Sequence, residues 1–181
     1  MLKKVVIVGS ESTGKSTLCS QLAAHYDTLW CPEYARDYLT QQGMNYSFDD
    51  LSTIAKGHIA LENEFTEKAE KEGKPVLFID TDMYVMKVWC EYVFGKCHSF
   101  ISDEIAKRKY DLYLLCNIDL PWYYDPLREY PDEQPRIDLL HIYKHLMQNQ
   151  RTPWILISGN YEERISNAVK AVELYLFNNP S

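Results

Sequence analysis

The stretch KKVVIVGSESTGKST, residues 3–17, decides the fold predicted for this chain. It begins with an apolar run and ends in residues that suit the first turn of a helix. Between them, Gly9, Gly14, Lys15 and Ser16 stand at the spacing G-x-x-x-x-G-K-[ST], the pattern of a phosphate-binding loop. Glycine lets the backbone wrap closely around an anion because it has no Cβ atom. The alternative is an ordinary tight turn between a strand and a helix.

The residues around this loop favour phosphate binding over an ordinary turn. Val5–Val8 is a continuous apolar run, as expected for a strand covered on both faces. After Ser16, apolar residues recur on one helical stripe, so the loop opens onto the positive N-terminal end of a helix. Backbone N–H groups of such a loop converge on phosphate. We therefore predict that the nucleotide is bound by the phosphate loop, residues 9–17, with these members: Gly9, Glu11, Ser12, Thr13, Gly14, Lys15, Ser16 and Thr17.

An acidic segment that follows a later apolar run supplies candidate metal ligands. The apolar run Val76–Ile79 is followed at once by Asp80, Thr81 and Asp82. In a chain with a phosphate loop, four hydrophobic residues followed by an acid match the segment whose carboxylate faces Mg²⁺ directly or through water. The serine that ends the loop motif can ligate the same ion. We predict Ser16 and Asp80 as metal residues, and Asp82 is left open between a catalytic role and the N-cap of the next helix.

Charged residues after the second apolar run are candidates for the acceptor side. Glu33 follows Pro32 directly after the short run at residues 28–31. In an open parallel sheet, ligands bind beyond the carboxyl ends of the strands. Glu33 and Arg36 are therefore predicted to lie where a phosphate acceptor would bind. A solvated, charged helix start is the alternative, and Arg36 with Asp37 alone would favour it.

The segment NIDLPWYYDPLREYPDEQPR, residues 117–136, is longer than the usual connections in α/β proteins. Its four prolines, three tyrosines and several charges are unlike a plain linker. Long segments of this kind often close over an active site, and in phosphoryl-transfer enzymes they supply arginines that neutralise charge. We predict a lid with Arg128 and Arg136 as these arginines. Arginines at the rim of a loose loop are the alternative.

Five apolar segments alternate with helical patterns, which predicts an α/β fold with a five-stranded parallel sheet sandwiched by helices. One domain is predicted over residues 1–181, with the last four residues as a frayed end. A GTPase switch would need D-x-x-G after the third strand and N-K-x-D after the fourth. The chain has DTDM at 80–83 and NID at 117–119, so a GTPase is excluded and a small-molecule kinase is favoured.

Charge and composition limit the partners and the location. The formal net charge is −7 and no basic run is present, so no nucleic-acid partner is predicted. No apolar stretch approaches the roughly 20 residues of a membrane span, and the chain starts directly with the first strand, so neither a membrane anchor nor a leader is expected. The five cysteines are scattered, which predicts reduced thiols in a cytoplasmic protein. The oligomeric state stays open, a homo-oligomer included.

Four strings together resemble the ribosylnicotinamide kinase domain of the NadR type, a member of the P-loop kinase superfamily. They are GSESTGKST at 9–17, CPEYARDY at 31–38, FIDTD at 78–82 and DLPWYYDPLREYPD at 119–132. The first string is shared by many families, and its combination with the second and fourth is more specific. The resemblance implies that ATP and Mg²⁺ are used to phosphorylate the 5′-hydroxyl of nicotinamide riboside, which yields nicotinamide mononucleotide in NAD biosynthesis. The helix-turn-helix and adenylyltransferase domains of multifunctional members have no counterpart here, so a free-standing kinase is expected.

The resemblance and the spacing together give a hypothesis for the roles of the residues. Glu33 orients or deprotonates the acceptor hydroxyl, with Asp82 as the second choice. Lys15 holds the ATP phosphates, and Arg36 and Arg128 approach the transferring phosphate, where Arg136 can join them.

The positively charged ring of nicotinamide riboside would suit an aromatic or acidic pocket. Tyr34, Trp89 and Trp122 are favoured only slightly over the many other aromatic residues of the chain. The alternatives are a kinase for another nucleoside or small metabolite, and an ATP-binding regulatory module without kinase activity.

Overall fold

The computed structural model describes residues 1–177, and the tail predicted to fray, residues 178–181, lies outside this range. The strands are β1 (Lys3–Val8), β2 (Trp30–Cys31), β3 (Val76–Asp80), β4 (Leu112–Cys116) and β5 (Trp154–Ile157). The helices are α1 (Lys15–His25), α2 (Tyr34–Gln42), α3 (Phe48–Lys71), α4 (Met83–Phe94), α5 (Ser99–Lys107), α6 (Glu133–Gln148) and α7 (Tyr161–Val172). A π-helical turn, Glu173–Phe177, continues α7.

All five strands form one parallel sheet in the order β2-β3-β1-β4-β5. The predicted α/β fold with a five-stranded parallel sheet between helices is confirmed. β1 lies at the centre, and its Ile7 pairs with Asp80 of β3 on one side and with Leu114 of β4 on the other. The phosphate loop therefore leaves the sheet beside the carboxyl end of β3, and β2 delivers Glu33 to the same edge.

The alternation of β1 side chains builds one core on each face of the sheet. Val5 and Ile7 pack with α1 and α7, whereas Val6 and Val8 pack with α6 and the end of α3. Both cores consist of buried hydrophobic residues, as a strand covered on both faces requires. A third cluster joins α2, α3, α4 and α5 beyond the edge strand β2. This cluster supports the acceptor side of the site.

Helix α6 begins at Glu133, inside the segment 117–136 that the sequence analysis assigned to the lid. Pro135 does not prevent this, because proline is tolerated in the first turn of a helix, where N–H groups have no intrahelical partner. Arg136 therefore belongs to α6 and not to the lid, which comprises residues 117–132. Within residues 1–177, no helix has both the length and the apolar composition that crossing a membrane requires.

Candidate active site

The phosphate loop has a backbone that only glycine fits at two positions. Gly9 has φ 140° and Gly14 has φ 78°, both in the region that side-chain-bearing residues rarely adopt. A Cβ atom on Gly9 would lie 3.0 Å from the Cys116 carbonyl oxygen, and one on Gly14 would lie 2.9 Å from Leu120 Cδ1. The loop is therefore packed tightly against the end of β4 and the start of the lid.

Side chains of the loop hold its own backbone. Thr13 Oγ1 donates to the Ser10 carbonyl oxygen at 2.7 Å, and Lys15 Nζ donates to the same oxygen at 3.0 Å. Thr13 is fully buried, whereas Ser16 and Thr17 are exposed at the start of α1. The phosphate loop thus directs the ammonium group of Lys15 and the hydroxyls of Ser16 and Thr17 toward the same side.

Ser16 and Asp80 meet directly, because the Ser16 hydroxyl donates to the Asp80 carboxylate. Burial, reinforced by the nearby Glu33 carboxylate, raises the pKa of Asp80 to about 6, against the opposing effects of Lys15 and Ser16. A hydroxyl and a carboxylate are the hard oxygen donors that Mg²⁺ takes, often only one or two from the protein, with phosphate and water completing the shell. Among residues 1–177 no group of three or more His, Cys, Asp or Glu side chains could hold a metal ion.

One cavity of about 340 Å³ joins the phosphate loop to the acceptor side. It brings together the whole predicted loop with Glu33, Arg36, Trp89 and Arg128. Glu33 is the N-cap residue of α2, yet its carboxylate makes no cap bond and accepts no hydrogen bond from the described residues. The remaining lining is mostly apolar and comes from α2, α4, α6 and the lid: Ala35, Leu39, Val85, Val88, Tyr92, Val93, Leu127, Glu129, Tyr130, Leu139 and Tyr143.

Two arginines of the cavity wall are held by contacts that involve the lid. Arg36 Nη2 pairs with Asp125 at 3.0 Å, which ties α2 to the lid. Arg128 donates from Nη1 to the Tyr123 carbonyl oxygen and from its backbone N–H to the Asp125 carbonyl oxygen. Both arginines are thus bonded to the lid turn around Asp125, Arg36 from α2 and Arg128 from within the turn.

The structure places three predicted substrate residues outside the cavity wall. Tyr34 packs on Gly57 of α3 so closely that a Cβ atom there would lie 2.2 Å from Tyr34 Cε1. Trp122 lies on the lid beside Tyr124, with its indole N–H buried and without a partner among the described residues. Arg136 donates to the carbonyl oxygens of Ile118 and Leu120. The structure therefore does not bring these three residues to the cavity wall.

Asp82 is the N-cap residue of α4, one of the two roles that the sequence left open. Its Oδ1 accepts from the N–H groups of Tyr84 and Val85, and its Oδ2 accepts from the Tyr113 hydroxyl at 2.8 Å. Asp82 is buried and absent from the cavity wall, although burial raises its pKa to about 7. One carboxylate oxygen thus caps α4 and the other is bonded to β4.

Residues 4–164 match the family model AAA_28, described as an AAA domain. The chain belongs to this family. This AAA domain is also similar to the trifunctional NAD biosynthesis/regulator protein NadR of Escherichia coli (strain K12), at 28% identity over 176 residues. The NadR of Salmonella typhimurium (strain LT2) is 29% identical over 177 residues. The resemblance found in the four strings is thereby confirmed.

The alignments cover 94% and 95% of this AAA domain and 42% of each NadR protein. The chain therefore spans less than half the length of the curated relatives that it matches.

Solved structures share the fold of this AAA domain. A crystal structure of NadR in complex with NR has a TM-score of 0.82 at 22% identity, covering 99% of this chain and 51% of NadR. NadR in complex with NAD and AMP-PNP covers the same shares, with a TM-score of 0.73 at 22% identity. Thymidylate kinase from Ehrlichia chaffeensis has a TM-score of 0.64 at 14% identity, covering 96% of this chain and 98% of that one.

Arg164 of this AAA domain is a site residue that the sequence analysis missed. Only 2% of its surface is exposed, and it donates to the carbonyl oxygens of Thr13 at 2.7 Å, Gly159 at 2.8 Å and Asn117 at 2.9 Å. It also pairs with Asp119. It thus ties the phosphate loop to the ends of β4 and β5. No sequence signal identifies it, because an arginine in the first turn of a helix is usually solvated.

His58 of α3 is a buried histidine that joins the two acid-bearing segments. It is 1% exposed, and its Nε2 lies 2.7 Å from the Thr81 carbonyl oxygen. Because a carbonyl only accepts, Nε2 carries the proton, and Nδ1 is free to accept from the Tyr34 N–H at 3.5 Å. Burial lowers the pKa of His58, which favours this neutral form. The histidine braces the segments that carry Glu33 and Asp80.

Proposed function

We propose that this chain is an ATP-dependent kinase that phosphorylates the 5′-hydroxyl of nicotinamide riboside and releases nicotinamide mononucleotide. The observation that carries the proposal is the single cavity that joins the phosphate loop to Glu33, Arg36, Trp89 and Arg128. The similarity to NadR, one structure of which holds NR and another AMP-PNP, supports the choice of both substrates. The cytoplasmic location and the oligomeric state stay predictions.

The donor side rests on the phosphate loop. Its backbone N–H groups bind the ATP phosphates at the N-terminus of α1, and Lys15 Nζ moves from the Ser10 carbonyl to the β- and γ-phosphates. Ser16 and Asp80 would hold Mg²⁺, which when bound neutralises charge on the phosphate oxygens. Asp80 is well placed for this because β3 delivers it next to the first turn of α1.

The acceptor side rests on Glu33. Its carboxylate faces the cavity with both oxygens free of bonds from the described residues, so it can accept the proton of the 5′-hydroxyl. The hydroxyl oxygen then bonds to the γ-phosphorus as the bond from that phosphorus to the ADP oxygen breaks. Because such a transition state is loose, positioning and charge neutralisation contribute more than the base does. Arg36 and Arg128 supply the positive charge.

The part of the cavity wall that α4 and the lid form suits a cationic ring. Trp89 and Tyr92 of α4 line it with aromatic faces, and Glu129 adds a carboxylate that accepts from the Tyr46 hydroxyl at 2.9 Å. Trp89 is itself held, since its indole N–H donates to Tyr46 at 2.9 Å. An aromatic face attracts a cation through its quadrupole. This wall would favour the pyridinium of nicotinamide riboside over the neutral bases of ordinary nucleosides.

A panel of acceptors tests the proposal. The chain is incubated with ATP, Mg²⁺ and each of nicotinamide riboside, nicotinic acid riboside, uridine, cytidine and thymidine, and products are identified by mass. We expect the phosphorylated product with nicotinamide riboside at a far higher rate than with the neutral nucleosides. Preferred turnover of a neutral nucleoside would contradict the assignment of the substrate, and ATP binding without turnover of any acceptor would favour a regulatory module.

A further inference from the structure

The phosphate loop carries an acidic side chain, Glu11, in a segment built to bind anions. Its carboxylate is engaged by the lid. Oε2 accepts from the backbone N–H of Glu129 at 2.9 Å, and Oε1 accepts from the N–H of Tyr130 at 2.6 Å. The next residue of the loop adds a third bond, because Ser12 Oγ accepts from the N–H of Tyr123 at 3.3 Å. Two adjacent loop residues thus hold both ends of the lid segment 123–130.

The geometry of these bonds makes Glu11 the stronger of the two contacts. Hydrogen bonds to an ionised carboxylate are shorter and roughly twice as strong as neutral ones. Two oxygens on two consecutive amides also fix the orientation of the lid backbone, which a single bond cannot do. The sequence analysis placed Glu11 among the nucleotide-binding residues. Its carboxylate would repel a triphosphate, whereas the lid amides satisfy it.

The segment that Glu11 holds contains an arginine of the cavity wall. Arg128 directly precedes Glu129, and its backbone N–H closes a turn on the Asp125 carbonyl oxygen at 3.0 Å. Asp125 Oδ1 stiffens the same turn by accepting from the Leu127 N–H at 2.9 Å. Because the turn is internally bonded, it moves as a unit, and its attachment to Glu11 and Ser12 sets where the Arg128 guanidinium stands.

We propose that Glu11 is a positioning residue that fastens the lid to the phosphate loop and so places Arg128 beside the transferring phosphoryl group. The contribution of Arg128 to transfer rests on the proposed kinase function, whereas the attachment of the lid does not. The loop that grips the donor also holds the lid that covers the acceptor.

Amide hydrogen exchange of the ligand-free chain tests the attachment without any acceptor. Glu11→Ala should speed exchange in residues 123–130 by about tenfold or more, and Glu11→Gln, which keeps one acceptor oxygen, should have an intermediate effect. Glu133→Ala is the matched control, because this acid is exposed at the start of α6 and makes no side-chain hydrogen bond with the described residues. Unchanged exchange in Glu11→Ala would overturn the attachment, even if the chain is a kinase.

A double-mutant cycle tests the action through Arg128, with the acceptor that the panel identifies. Glu11→Ala should lower kcat/KM about 10–100-fold in the presence of Arg128, and by less than about threefold in an Arg128→Ala background. The affinity for a fluorescent ADP analogue should change little. Additive losses, or a loss of nucleotide affinity as large as that of Lys15→Ala, would show that Glu11 acts on the nucleotide itself and would overturn the positioning role.

Discussion

The cavity has two walls of unlike construction. The loop wall, residues 9–17, runs directly between β1 and α1, and β1 behind it is buried in the centre of the sheet. The lid wall, residues 127–130, is held by polar contacts from distant parts of the chain: Glu11, Arg36 and Tyr46. The shape of the donor side is therefore fixed by the fold. The shape of the lid side depends on a few hydrogen bonds that local events can break without unfolding the protein.

The largest loss of activity is expected from a substitution of Lys15 in the loop wall. Lys15→Ala removes the charge that reaches the β- and γ-phosphates, so kcat/KM should fall by about 10³ or more while the melting temperature stays the same. A coupled assay of ADP release measures the loss. Lys68→Ala, an exposed lysine on α3, serves as the control and should retain full activity. Normal turnover by Lys15→Ala would remove the basis for a phosphate loop.

Substitution of Asp80 should have opposite effects on activity and on stability. Asp80→Asn should lower kcat/KM about 10²–10³-fold, because Mg²⁺ loses an anionic ligand. In the metal-free protein the same substitution should stabilise the fold at neutral pH by about 1–3 kcal/mol, since it removes a buried charge.

The sign of the pH dependence follows from the raised pKa of Asp80, about 6, which burial causes. The folded state binds this proton more readily than the unfolded state does, so ionisation of Asp80 weakens the fold as the pH rises from about 4 to 6. Urea denaturation in the presence of a chelator measures the free energy of unfolding of both proteins. Asp80→Asn should be more stable than the unsubstituted chain at pH 7, and this difference should almost vanish below pH 4. If Asp80→Asn were less stable than the unsubstituted chain at pH 7, this would contradict the inference that burial of the ionised Asp80 carboxylate weakens the fold.

Substitution of Glu33 should lower activity less than substitution of Lys15 in the loop wall. Glu33→Gln keeps the size of the side chain and removes the proton acceptor, and we expect kcat to fall about 10–100-fold. Residual activity should exceed that of Lys15→Ala, because charge neutralisation dominates a loose transfer. Single-turnover rates at saturating acceptor measure the effect, with Asp37→Asn, an exposed neighbour on α2, as the control. A loss as deep as that of Lys15→Ala would make proton removal the larger contribution.

The smallest effect is expected on the lid wall, at the ion pair between Arg36 and Asp125. Asp125→Asn removes the charge yet leaves Oδ1 able to accept from the Leu127 N–H. Exposed ion pairs contribute about 0–1 kcal/mol, so the melting temperature should barely change while the KM for the acceptor rises about 2–5-fold. Equal KM values for both proteins would show that this pair does not hold the lid, and a large drop in melting temperature would show that the lid is not locally independent.

The same contrast explains what could be predicted from the sequence. The strands, the order of elements and the phosphate loop follow from patterns within a few residues, such as Val5–Val8 followed by the glycine motif. The capping box of α3 is equally local, since its Ser47 and Asp50 are three residues apart. These features are local, and they make up the fold and the loop wall.

The contacts that could not be predicted are those between side chains and partners distant in the sequence. Tyr34 and Trp122 are aromatic residues near the site in sequence, yet their faces pack on α3 and within the lid. Arg164 has no signal at all, because its partners at residues 13, 117 and 159 meet only when β4 and β5 are in place. The contact of Glu11 with the lid amides of Glu129 and Tyr130 likewise joins residues that are far apart in the sequence.

The central claim is that the two walls together move a phosphoryl group from ATP to nicotinamide riboside. The most direct measurement uses ATP with heavy oxygen in its γ-phosphate and determines the masses of all products. The account predicts nicotinamide mononucleotide that carries the label, formed in equal amount with ADP. Label found only in inorganic phosphate, with the riboside unchanged, would contradict it and would indicate a nucleotide hydrolase.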